Sequence, residues 1–128
     1  MATNTPSCGF ARVQLGWLGV LAWIGACSRS STPVAGGDPE RGKAQIVLLG
    51  CGSCHVIPGI GQASGMVGPP LTHFAGRSYI AGEAPNTEPY LIQWIMSPQS
   101  IEPGTAMPNL GVTQQQARDI AAYLYTIR

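Results

Sequence analysis

The pentapeptide Cys51-Gly52-Ser53-Cys54-His55 constrains this chain more than any other stretch. Cys-x-x-Cys-His is the attachment signature of a covalent haem. Two thiols three residues apart each add across one vinyl group, and the next residue offers an imidazole to the iron. A structural zinc site needs four ligands, and no second Cys or His pair follows His55. A thioredoxin-type redox pair belongs beside a βαβ pattern of apolar strands, which the sequence lacks.

At 128 residues the chain has room for one domain. Its 17 glycines and 11 prolines make it rich in turns, and a small, loop-rich chain needs a staple such as a covalently held apolar porphyrin. Only 10% of residues are charged, seven basic and six acidic without runs, which excludes a nucleic-acid footprint.

Residues 1–26 have the architecture of an export signal: a polar start with Arg12, then the Gly-broken apolar run Val13 to Ala26, too short for a bilayer span. The run ends at Ile24-Gly25-Ala26-Cys27, which resembles the lipobox of bacterial lipoproteins. That resemblance implies a lipid on Cys27 and removal of everything before it, Cys8 included. The competing reading is an uncleaved apolar anchor. Both place the rest of the chain on the periplasmic side of a bacterial membrane. Residues 27–37 carry Ser, Thr, Pro and Gly without apolar periodicity and read as a flexible tether.

The remaining residues, 38–128, read as short helices separated by loops. Asp38-Pro39-Glu40 starts a helix that runs to about Leu49, with Ala44, Val47 and Leu48 on one face and Gly42 where another helix can approach. Thr87 is an N-cap for Glu88 to Met96, which ends before Pro98 and places Leu91, Trp94 and Ile95 on one face. Thr113 and Gln116 form a capping box for a last helix continuing to the C-terminus, with Ala117, Ile120, Ala121, Leu124 and Ile127 as its buried stripe. Tyr123 or Tyr125 completes its contact with the first helix. Between these helices, Met107 stands isolated in a Pro-bounded loop, which suits a ligand of fixed position, whereas Met66 and Met96 read as packing. Arg77 reads from charge alone as a surface residue.

From Asp38 to Arg128 the chain resembles the class I cytochromes c, through the first helix, CGSCH, GPPLTHFAGR, WIMSP, PGTAMPNLG and QARDIAAYLYTI in that order. The resemblance implies an all-α fold of three to four short helices and loops around one covalent haem c, with the N- and C-terminal helices packed together. It makes Met107 the distal iron ligand opposite His55, sets Pro69 beside the proximal His55, carries Arg77 to a haem propionate and puts Trp94 in the distal pocket wall. His73, the only other histidine, falls where the family has a small residue and is read as peripheral. Residues 85–111 are similar to the cytochrome c domain fused to subunit II of some bacterial haem-copper oxidases, whose copper-binding portion is not in this sequence.

With His55 and Met107 both on the iron, no position is open to substrate, so the expected role is single-electron transfer rather than catalysis. The expected partners are respiratory-chain proteins: a quinol-cytochrome c reductase, a terminal oxidase or a dehydrogenase. A second reading makes the chain a permanently bound haem subunit of such a complex. A third, peroxide reduction or ligand sensing, requires an open or labile sixth position.

Overall fold

The computed structural model describes residues 34–128. The export signal, Cys8, the lipidation candidate Cys27 and the tether up to residue 33 lie outside the described residues. The fold is all-α. Helices α1 (Pro39–Leu48), α2 (Glu88–Met96) and α3 (Gln114–Leu124) are joined by loops with 3₁₀ turns at Cys51–Ser53, Phe74–Gly76 and Pro98–Ser100. One two-residue antiparallel pair, β1 (Tyr79–Ile80) and β2 (Ala84–Pro85), sets Tyr79 opposite Pro85. Among the described residues, no helix is long and apolar enough to cross a membrane.

Local chemistry fixes the helix starts. The Asp38 carboxylate accepts from the Glu40 and Arg41 amides at 2.9 and 3.1 Å, capping α1 with Pro39 in its first turn. The Thr113 and Gln116 capping box opens α3 as its sequence predicts. Thr87 occupies the N-cap of α2, but its side chain makes no capping hydrogen bond. Helix α3 ends at Leu124 rather than at the terminus. Its tail turns back so that the Ile127 carbonyl accepts from the Ala75 amide at 2.9 Å.

The N- and C-terminal helices cross at Gly42, where a Cβ would lie 1.9 Å from the Asp119 carbonyl oxygen and 2.9 Å from the Ile120 nitrogen. That contact decides which face of α1 is inside. Gly42 and Ile46 are buried, while Val47 and Leu48 are 62% and 76% exposed, so the face expected from Ala44, Val47 and Leu48 points outward. The apolar count on that face is higher, but only the glycine face lets the two backbones touch. Met66, read as packing, is likewise 88% exposed. The two tyrosine hydroxyls reach loops instead of α1: Tyr123 donates to the Pro58 carbonyl and Tyr125 to Asn86 Oδ1.

A polar latch closes the α1–α3 crossing. Asp119, buried on α3, accepts from the Asp38 amide, from Arg41 through Nε and Nη2, and from Gln115, at 2.9–3.0 Å. The segment just before α1 is also held against α3: Val34 is fully buried, and the Ala35 and Gly36 carbonyls accept from Arg118 and Gln115. Residues 34–37, read as the end of a free tether, are therefore docked.

Burial pushes the Asp119 carboxyl up, but hydrogen bonds from Arg41, the Asp38 amide and Gln115 outweigh it and hold it below the usual carboxylate value. As pH falls, the unfolded chain therefore takes up this proton before the folded one does. The latch contributes fully above the unfolded carboxylate value of about 3.9 and is lost as pH drops through the lower folded value. Asp119→Asn is expected to lower stability by roughly 1–2 kcal/mol at neutral pH, with the gap to wild type closing as pH drops through the lowered folded value. Urea midpoints measured across pH check this; a gap independent of pH would rule out the charged latch.

Candidate haem-binding site

Helix α1 delivers its last turn directly into the Cys-x-x-Cys-His run. The Leu49 amide closes the helix onto the Gln45 carbonyl, Gly50 takes φ +69°, and Cys51–Ser53 form a 3₁₀ turn. The Cys54 and His55 amides both return to the Cys51 carbonyl, at 3.3 and 3.1 Å. The turn therefore displays both cysteines and the histidine from one compact platform.

These three side chains line a single cavity of about 590 Å³, within the size range of small-molecule and cofactor pockets. Ile46 from α1, Leu91 and Ile95 from α2, and Ile120 and Leu124 from α3 all contribute to its wall. These residues also belong to the hydrophobic core, so the fold is built around this space. Every haem-contact residue expected from the sequence borders the cavity: Cys51, Cys54, His55, Pro69, Arg77, Trp94 and Met107. His73 does not line it.

The histidine is held in a definite way. His55 Nδ1 lies 2.8 Å from the Pro69 carbonyl oxygen, so Nδ1–H donates there and Nε2 is the nitrogen left to bind a metal. Gly68 makes room for the ring, since a Cβ there would lie 2.3–2.9 Å from three imidazole atoms. Pro69 is thus beside His55, while the need for glycine at 68 was not read from the sequence. The GPP string was its only signal.

Cys51 and Cys54 are free thiols, both half-buried. Burial pushes the Cys51 thiol up, and the neighbouring Cys54 adds to the effect over an opposing backbone hydrogen bond. A raised thiol is the reverse of the depressed value that marks a reactive Cys-x-x-Cys redox pair. Among the described residues, no group of three or more His, Cys, Asp or Glu side chains gathers to hold a metal ion without a cofactor. The donor set and the apolar walls fit a haem: two thiols, an oriented imidazole and a thioether on one core cavity.

Arg77 is less free than its sequence position suggests. Nη2 donates to the Pro70 and Thr72 carbonyls, and the guanidinium carbon lies 5.7 Å from the Phe74 ring centroid. Nε and Nη1 have no protein partner among the described residues, so a cation at the cavity wall keeps donors for an anionic group. Asn86 steadies this wall by donating to the Phe74 and Arg77 carbonyls at 3.0 and 3.1 Å, a role that no sequence pattern signalled.

A family model described as cytochrome c matches residues 39–128. Cytochrome c oxidase subunit 2 of Alkalihalophilus pseudofirmus is 29% identical over 108 residues, covering 84% of this chain and 31% of that protein. The subunit of the same name from Bacillus sp. (strain PS3) is 25% identical over 111 residues, with the same two coverages. The chain therefore spans about a third, 31%, of the length of the curated relatives it matches.

Proposed function

Since the chain belongs to the cytochrome c family, whose members carry electrons rather than catalyse, we propose that residues 38–128 hold one covalent haem c and pass single electrons between respiratory-chain components at a bacterial membrane. The observation that carries this is the convergence of Cys51, Cys54, His55 and Met107 on one core cavity. When bound there, haem supplies an iron that cycles between ferric and ferrous states.

The residues divide the remaining work. Cys51 and Cys54 provide the thioethers, and His55, oriented through Nδ1–H to Pro69, binds the iron through Nε2. Met107 brings a soft, uncharged sulfur that favours the ferrous form. Trp94 and the aliphatic wall exclude water, which disfavours the extra charge of the ferric form. Arg77 offers its remaining donors to a propionate.

The site stands on the periplasmic side, with a lipid on Cys27 or an uncleaved apolar anchor holding the domain beside the membrane. Its partners in this reading are a quinol-cytochrome c reductase, a terminal oxidase or a dehydrogenase. The similarity to two proteins named cytochrome c oxidase subunit 2 favours a second reading as well, in which the chain is a bound subunit of a terminal oxidase or dehydrogenase complex. Size analysis after detergent extraction separates an anchored monomer from a larger assembly.

Redox titration of the haem-loaded full chain tests the carrier reading. A single reversible one-electron wave is expected, with the charge-transfer band of methionine-to-ferric-iron coordination in the oxidised spectrum and no carbon monoxide uptake by the reduced protein at neutral pH. Carbon monoxide binding by the native protein, with that band missing, would sink it in favour of catalytic or sensory haem chemistry.

A further inference from the structure

The loop that carries Met107 makes few hydrogen bonds to the rest of the domain, and its far end is held by the buried Val112. Among the described residues, no main-chain to main-chain hydrogen bond involves residues 106–112. Pro108 has no N–H to give. The Met107 amide turns to Thr105 Oγ1 within the loop at 3.2 Å, and the Gly111 amide to Asn109 Oδ1 at 2.9 Å. Of the hydrogen bonds among the described residues, one links this segment to the domain body: Gln99 Nε2 donates to the Met107 carbonyl at 2.7 Å.

Gln99 is itself on a firm base. It sits in the Pro98–Ser100 turn directly after α2, where Pro98 is buried. Ser100 Oγ donates to the Ser97 carbonyl at 2.7 Å and accepts from Gln93 Nε2 of α2 at 3.1 Å. A continuous tie therefore runs from α2 through the turn to the main chain of Met107.

We propose that Gln99 is a positioning residue that holds Met107 against the iron, and that its loss loosens the sulfur without loosening the fold. The proposal rests on Met107 being the sixth ligand. Gln99 is exposed and far from the α1–α3 crossing in sequence, so its side chain adds little to global stability. Its hydrogen bond is instead spent on the carbonyl of Met107 itself, the residue that carries the sulfur. When the sulfur leaves, no other hydrogen bond among the described residues runs from the domain body to residues 106–112 to return it.

The test uses the haem-loaded full chain with Gln99→Glu, which keeps the shape but loses the donor, Gln99→Ala, and Met107→Ala as control. Imidazole binding to the ferric form reads departure of the sulfur, thermal fading of the methionine-to-iron band reads the same bond, and helical circular dichroism reads the fold. Both Gln99 variants are expected to bind imidazole about five-fold faster, the equivalent of one neutral hydrogen bond of ~1 kcal/mol, and to lose the band at lower temperature with the helical melt unchanged. Wild-type imidazole kinetics in both variants overturn the proposal. So does a helical melt that falls together with the band, since Gln99 would then be structural. A Met107→Ala protein that keeps the band overturns the ligand reading itself and is recognisable as a separate failure.

Discussion

Met107→Ala is expected to leave a folded haem protein with an open sixth position. Among the described residues, the cavity contains no other thioether and no imidazole besides His55: Met66, Met96 and His73 all lie outside its lining. No neighbour stands ready to replace the sulfur. Three effects should appear together. The methionine-to-iron band disappears, the reduced protein binds carbon monoxide at neutral pH, and the midpoint potential falls by roughly 0.1–0.2 V, a modest part of the ~0.8 V over which axial ligands move haem potentials. The side chain is half-buried in a loop, so the packing loss should be smaller than the ~2–5 kcal/mol of a core Met→Ala change. His73→Ala should leave all three readouts unchanged. If His73→Ala removes the band and Met107→Ala does not, the axial assignment is wrong.

The features legible in the sequence were those carried by side-chain identity at fixed spacing. The Cys51–His55 run, the Asp38 cap, the Thr113–Gln116 box and the bounds of α2 all rest on local rules that need no knowledge of the partner surface. Pro69 and Arg77 were assigned to the cavity only through family resemblance, whereas Met107 was also marked by its Pro-bounded loop and Trp94 by its apolar helix face. What escaped was set by backbone atoms. Residues 34–37 dock through the carbonyls of Ala35 and Gly36, and main-chain acceptors look alike in every Ser- and Gly-rich stretch. The Gln99 tie likewise ends on a carbonyl. The hydroxyl of Tyr123 also ends on a main-chain carbonyl, that of Pro58.

The inward face of α1 was the most consequential miss, and it turns on one missing methyl group. Counting apolar side chains favours Ala44, Val47 and Leu48, yet Gly42 also marks a point of close approach, and the second signal prevails. Gly42→Ala tests why. By helix propensity alone the change should stabilise α1 by about 1 kcal/mol. Against this, the new Cβ would meet the Asp119 carbonyl oxygen at 1.9 Å, its carbon at 2.4 Å and the Ile120 nitrogen at 2.9 Å. All three are main-chain atoms inside α3, with no rotamer to move aside, so the helices must separate. Separation stretches the Arg41–Asp119 latch and lifts Ile46 from the wall that it shares with the cavity. Overpacking of this kind costs ~1–3 kcal/mol and more where backbone must shift, so the clash outweighs the propensity gain. A net loss of about 2 kcal/mol is expected, seen as a melting temperature lower by roughly 8–16 °C in a domain of this size. Because Ile46 borders both the crossing and the cavity, haem loading should fall with the melt. A Gly42→Ala variant as stable as wild type would mean that α1 and α3 do not meet through this glycine, and the buried face of α1 would then have to be reassigned.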